Sequence, residues 1–290
     1  MKRNNKPDIK YSDIFDACVN SMNPGILKSS LIHKKSFFVH SANRYAELSQ
    51  VNALHSFVNY ESHVVDKEIE HSDIVNLYEK LKKNKGASDY YNKMRNSSKN
   101  CLYCSENLVK CLDHYLPKSD FPLLSITPSN LVPCCNDCNF KLNELSNYNS
   151  PLIIHPYFEH YDDIFDKQWV YARVPIDQPF FTQKDFQGIA VVFYTNFKDT
   201  ALEASVRNRI EFQFKNLMVD SYISKGSAVL SKELNRLRRY LGTPNQLKTV
   251  HKEYLLDIML DYPINSFYHA IYHALANSEI YLETIQEEFF

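Results

Sequence analysis

The chain has 290 residues, 44% hydrophobic and 23% charged, with a net charge of −1. Those values describe an ordered globular protein of two or three subdomains. They exclude a disordered chain, a membrane-embedded one, and a molecule that binds nucleic acid through its overall charge. The apolar runs are too short to span a bilayer, and the basic start "MKRNNKPDIK" leads into no apolar signal core. A cytoplasmic protein is therefore expected, its seven cysteines serving as thiols or metal ligands rather than disulfides.

Residues 1–99 read as a helical N-terminal region. "SDIFDACV", "SANRYAELSQVNALHSFV" and "DIVNLYEKLKK" carry apolar residues at helical spacing, with Ser12, Ser41 and Ser72 as candidate caps. Gly86, in "NKGASD", marks a break. Around it, residues 79–99 set seven cations against two carboxylates, a local charge of +5. Such a run is either a solvated helix face or a phosphate-binding patch.

Residues 100–160 change character, and 100–147 hold six of the seven cysteines and four of the twelve prolines. Cys101-x2-Cys104 and Cys135-x2-Cys138 are separated by thirty residues. A two-residue gap lets two thiolates converge on one tetrahedral ion, so the frame points to a structural zinc. Cys111 and Cys134 can each replace a ligand, but neither has a CxxC partner, which favours buried thiols. Between the pairs stands "CLDHYLPKSD", whose Asp113-His114 exceeds what a zinc staple requires. "CNDCNFKLN" can start a helix with Asn139 and Asn143 on one face.

Region 161–290 opens with "QWVYARV" (168–174) and "GIAVVFYTNF" (188–197), read as strands at about 168–197 that pair across the "PIDQP" turn. Helical spacing returns from about 198. In "QLKTVHKEYLLDIML", Leu247, Val250, Tyr254 and Ile258 share a face, and "NSFYHAIYHALA" begins with a cap-like Asn265-Ser266. His269 and His273, spaced i and i+4, favour packing over metal binding because their surroundings are apolar. Arg236, Arg238 and Arg239 form a second basic run, either a phosphate contact or a solvated face. The expected fold class is α+β: a small zinc-stapled module embedded in a largely α-helical protein, with a short β-hairpin after it.

The pattern DH…P.S…NL…C..CN.K is matched by Asp113, His114, Pro117, Ser119, Asn130, Leu131, Cys135, Cys138, Asn139 and Lys141. On these residues the segment resembles the HNH endonucleases, the ββα-metal nuclease core, in its form with CxxC on both sides. More loosely, "HPYF" (155–158), "QWVYARV" and "NSFYHAIYHALANSE" are similar to bacterial HNH proteins of about this length. The resemblance implies a DNA endonuclease, RNA not being excluded as substrate, with four catalytic positions. His114 would be the general base. Asp113 and Asn139 would hold one magnesium or manganese ion, and Asn130 would steady the loop. Asn at the third signature position, where His is common, favours a hard ion. Lys118, Lys141, Lys93, Arg95, Lys99 and His155 are candidate nucleic-acid contacts, although His155, before a proline in an apolar stretch, favours packing. The resemblance also implies 5′-phosphate and 3′-hydroxyl products, and a partner ATPase in anti-phage defence or a mobile element. The rival reading is a non-catalytic zinc module that binds nucleic acid or a partner protein.

Overall fold

Apolar residues at helical spacing build most of this protein, and short β-rich runs supply two hairpins. The computed structural model describes residues 4–145, 153–174, 191–237, 244–279 and 281–282. Among these no helix is long and apolar enough to cross a membrane. The described residues form two compact units, one up to His160 and one from Tyr161 onward.

The N-terminal unit starts with helices α1 (Tyr11–Asn20), α2 (Ile26–His33) and α3 (Lys35–Gln50), then α4 (His71–Val75), α5 (Leu77–Lys83) and α6 (Ala87–Arg95). Strands β1 (Cys111–His114) and β2 (Leu131–Cys134) pair antiparallel, with Cys111 opposite Cys134 and His114 opposite Leu131. Helix α7 (Asn136–Leu145) follows directly. The core joins Ile14, Phe15, Phe38, Leu77, Leu81, Tyr91 and Met94 of the helices to Leu112, Leu123, Ile126 and Leu131 of the cysteine-bearing segment. Helical region and metal segment thus share one apolar interior. Helix α6 packs across both strands of the hairpin.

Local punctuation follows the sequence in part. Gly86 takes φ +86° immediately before α6, a conformation that glycine adopts without Cβ strain. The expected serine caps do not form. Helix α1 begins before Ser12, and Ser41 lies buried inside α3. The cap of α4 is Glu70, whose carboxylate pairs with the third helical residue's amide while Asp73 reaches back to the Glu70 amide. Asn76 separates α4 from α5 where one helix was expected.

The C-terminal unit holds α8 (Asp163–Asp166), antiparallel β3 (Val170–Arg173) and β4 (Val192–Thr195), then α9 (Ala204–Gln213), α10 (Val219–Leu237), α11 (Pro244–Leu260) and α12 (Phe267–Ala276). The two strands pair as their β-branched and aromatic content predicts, Val170 opposite Thr195; the "PIDQP" turn lies outside the described residues. Ser266 caps α12 by accepting the His269 amide at 3.2 Å. Buried Asn265, at φ +65°, accepts the amides of Trp169 (2.7 Å) and Val170 (3.0 Å) and donates to the Lys167 carbonyl. One side chain thereby fixes the start of β3 against the start of α12. The inward face of α11 is carried by His251 and Leu255, while Val250 is exposed. The stripe is rotated by one residue from the expected face, because His251 is accommodated inside by a hydrogen bond with the Tyr281 hydroxyl at 3.2 Å.

Candidate functional site

The two CxxC pairs converge. The Sγ atoms of Cys101, Cys104, Cys135 and Cys138 all lie within 4.8 Å of one another, and all four residues are buried. A tetrahedral ion with metal–sulfur bonds of about 2.3 Å needs sulfurs about 3.8 Å apart, and Cys104 and Cys135 stand at 4.0 Å. Among the described residues, no other group of three or more His, Cys, Asp or Glu side chains is arranged to hold a metal. The chain bends to make this possible. Ser105 takes φ +62° just after Cys104, with its amide bonded to the Cys101 carbonyl at 2.8 Å. The Cys138 amide points at the Cys135 sulfur at 3.4 Å. Hydrogen bonds from Cys101, Cys104 and Cys138 hold the Cys135 thiol well below its ordinary range. Four buried sulfurs able to take tetrahedral positions around one borderline-soft cation fit zinc, which binds them as thiolates and releases their protons.

At the far end of the hairpin, β1 ends in Asp113-His114. Successive strand residues face opposite sides, and the two side chains meet different surroundings. The Asp113 carboxyl is 7% exposed and accepts the Tyr103 hydroxyl at 3.0 Å. Burial pushes it up to about 7, against the lowering effect of that hydrogen bond. His114 Nε2 lies 2.8 Å from the Ser125 carbonyl oxygen. A carbonyl only accepts, so Nε2 carries the proton and Nδ1 keeps its lone pair. Burial, aided by the Lys118 cation and opposed by the Ser125 bond, lowers His114 to about 4, which leaves the ring neutral at physiological pH.

Three groups hold that ring in place. Its edge meets the Tyr78 ring, with centroids 4.5 Å apart, and the Tyr78 hydroxyl donates to the Leu112 carbonyl at 2.6 Å. The Lys118 ammonium lies over the other part of this assembly, 4.6 Å from the Tyr78 centroid. Ser125, which accepts from His114, is itself anchored because its hydroxyl donates to the Ile74 carbonyl at 3.1 Å.

Asn130 shapes the loop between the strands. Fully buried, it accepts the Leu116 amide at 2.8 Å and donates to the carbonyls of Leu116 (3.0 Å) and Leu124 (3.4 Å). Its backbone carbonyl accepts the Tyr115 amide at 2.9 Å. The loop's own turns begin at Pro122 and Pro128, residues suited to the first position of a helical turn.

Asn139 lies in the first turn of α7, with its amide on the Cys135 carbonyl, and its side chain makes no hydrogen bond among the described residues. The half-buried Lys141 and exposed Asn143 follow on the same helix. Lys93 and Lys99 are exposed, and Arg95 stands 6.0 Å from the Tyr91 ring. His155 does not lie where a phosphate contact was expected. It is 2% exposed, accepts the Tyr157 amide on Nδ1 and bonds the Tyr45 hydroxyl through Nε2, inside a cage of Tyr115, Tyr157 and Phe158. In the other unit His269 is buried, held down to about 4 by burial and by His273, and the pair packs as apolar neighbours predict. Arg238 and Arg239 lie outside the described residues, as does the side chain of Arg236.

Sequence reading passed over Tyr78, Tyr103 and Ser125. Each acts through a partner ten or more residues away, and two of the three hydrogen bonds run to a main-chain carbonyl, that of Leu112 and that of Ser125 itself. Lys82, one of the cations of the 79–99 run, also acts here, its charge bearing on both Lys118 and Cys111.

No protein-family model matches this chain, and no solved structure matches it. A curated protein does. The chain is 27% identical over 313 aligned positions to Protein ea31 of Escherichia phage lambda, an alignment that covers 98% of this chain and all of that protein.

Proposed function

We propose that this chain is a metal-dependent nuclease of the HNH kind, hydrolysing phosphodiester bonds in DNA. The observation that carries the reading is the His114–Ser125 hydrogen bond, which presents an imidazole with a defined tautomer and a free Nδ1 lone pair. In the reaction Nδ1 takes a proton from water as the oxygen attacks phosphorus. The Ser125 carbonyl keeps the ring oriented and favours the imidazolium that results. Lys118, beside the ring, and Lys82 supply positive charge for the phosphate. Asn130 positions the loop and does not itself reach the reacting atoms.

The proposed zinc on Cys101, Cys104, Cys135 and Cys138 supplies rigidity where a short hairpin and helix cannot supply enough core. Asp113 and Asn139 offer a carboxylate and an amide oxygen, a hard donor set suited to magnesium or manganese. A divalent ion on them would neutralise charge on the phosphate and the leaving oxygen. Cleavage leaving 5′-phosphate and 3′-hydroxyl ends, and recruitment by a partner ATPase in anti-phage defence, belong to the same reading. They rest on the motif Asp113-His114…Asn130…Asn139.

One observation favours a non-catalytic zinc module: Asp113 is buried against Tyr103. Incubation with plasmid, linear and single-stranded DNA and with RNA, in magnesium or manganese, separates the two readings. The nuclease reading expects cutting that His114→Ala lowers by roughly 10²–10⁴-fold, with metal content and fold retained. No cutting of any substrate, with zinc as the sole bound ion, leaves the binding module.

A further inference from the structure

Two of the six cysteines in the metal segment stand outside the four-sulfur set. Cys111 opens β1 and Cys134 closes β2, and the two are direct cross-strand partners. Their Sγ atoms are 3.5 Å apart, and both thiols are free. Antiparallel partners keep Cα atoms about 4.5–5.5 Å apart, within the range of about 4.4–6.8 Å that a disulfide spans. The sulfurs already face one another, so bond formation requires side-chain rotation and little backbone movement. Cys111 is half-buried and Cys134 fully buried. An oxidant therefore meets one sulfur first and leaves the other positioned directly behind it. The four metal-set cysteines are all buried.

We propose that Cys111 and Cys134 are an oxidative modification site, a reversible dithiol–disulfide couple distinct from the four-cysteine set and responsive to peroxide. The Cys111 sulfur attacks one oxygen of hydrogen peroxide; an S–O bond forms, the O–O bond breaks, and the departing oxygen leaves as water with the Cys111 proton. The Cys134 sulfur then attacks the Cys111 sulfur. The S–S bond forms, the S–O bond breaks, and the hydroxyl leaves as a second water with the Cys134 proton. Two thiols are oxidised by two electrons and one peroxide is reduced to two waters. A small-molecule thiol reverses the couple by exchange. The bond closes the hairpin two residues before Asp113 and on the same face of β1. This inference does not depend on the nuclease reading.

The test uses full-length protein with its metal as purified, treated with equimolar hydrogen peroxide. Remaining thiols are then alkylated, peptides are mapped without reduction, and bound metal is measured. The expected result is a peptide pair joined through Cys111 and Cys134, lighter by two hydrogens, with metal retained and the link removed by dithiothreitol. Cys111→Ser should abolish it. Cross-links among Cys101, Cys104, Cys135 and Cys138 with metal loss would overturn the proposal. So would Cys111 that is still alkylatable after treatment, or over-oxidised without a link. The wild-type map alone decides these outcomes if the variant folds poorly.

Discussion

The two ends of the β1–β2 hairpin are held by different means. At one end four sulfurs converge within 4.8 Å, and the residue types that do the holding are chemically specialised. At the other end His114 is placed by a carbonyl of Ser125, a ring of Tyr78 and a loop stapled by Asn130. As a zinc site, the first arrangement would tolerate few substitutions, because only thiolate, imidazole or, less often, carboxylate side chains hold that ion. The second is a network of ordinary hydrogen bonds, so each part contributes a modest share and can be tested singly.

Removing the staple should have the largest effect. Chelation, or Cys135→Ser, is expected to unfold the cysteine segment and lower stability by about 5 kcal/mol or more, since binding free energy at such sites is folding free energy. Circular dichroism and metal content would show it, and a variant that keeps its melting temperature would dissolve the contrast between the two ends. Asn130→Ala comes next. It deprives three buried backbone groups of their partner and should cost roughly 3 kcal/mol in chemical denaturation, with metal retained.

Asp113→Asn sharpens the comparison through pH. Asp113 is raised to about 7 and His114 is lowered to about 4. Between pH 4 and 6.5 the native state holds an Asp113 proton that the unfolded chain lacks, and lacks a His114 proton that the unfolded chain holds. The two slopes oppose, so this pair leaves stability nearly flat in that window and reduces it as pH rises through 7. Asp113→Asn keeps an acceptor for Tyr103 and removes the buried carboxyl. In protein without added magnesium or manganese, the variant should be more stable than the parent at pH 8. Its stability should then fall as pH drops from 6.5 to 4, by up to about 1.4 kcal/mol per pH unit. Denaturation midpoints across pH would reveal it, and parallel wild-type and variant curves would refute the assignment. The smallest effect is expected for Tyr78→Phe. It removes one hydroxyl from the Leu112 carbonyl at a cost of about 1 kcal/mol, while the ring contacts with His114 and Lys118 persist.

Legibility in the sequence varied with the kind of interaction. The cysteine frame was readable because metal ligation demands particular atoms at short spacing. Ser266 was readable as a cap, and "QWVYARV" as a strand, because both depend on near neighbours. Ser41 and Ser72 were misread as caps because a serine inside a helix has the same sequence appearance as one at its start. The face shared by Val250, Tyr254 and Ile258 is not the one α11 buries, because a histidine counts as polar in the pattern, whereas His251 is buried with a tyrosine hydroxyl as partner. His155, set before a proline in an apolar stretch, reads more as packing than as phosphate contact, and an aromatic cage holds it.

By itself the sequence determined which side chains can bind metal, which can carry a proton, and that helical stretches flank a cysteine-rich segment with a strand pair near 168–197. Those properties reside in residue type and local period. Only the tertiary structure decided that His114 keeps its lone pair on Nδ1, that Asp113 is buried against Tyr103, and that Cys111 faces Cys134. Each depends on a partner brought close by folding. A carbonyl oxygen, which every residue carries, leaves no mark in a sequence.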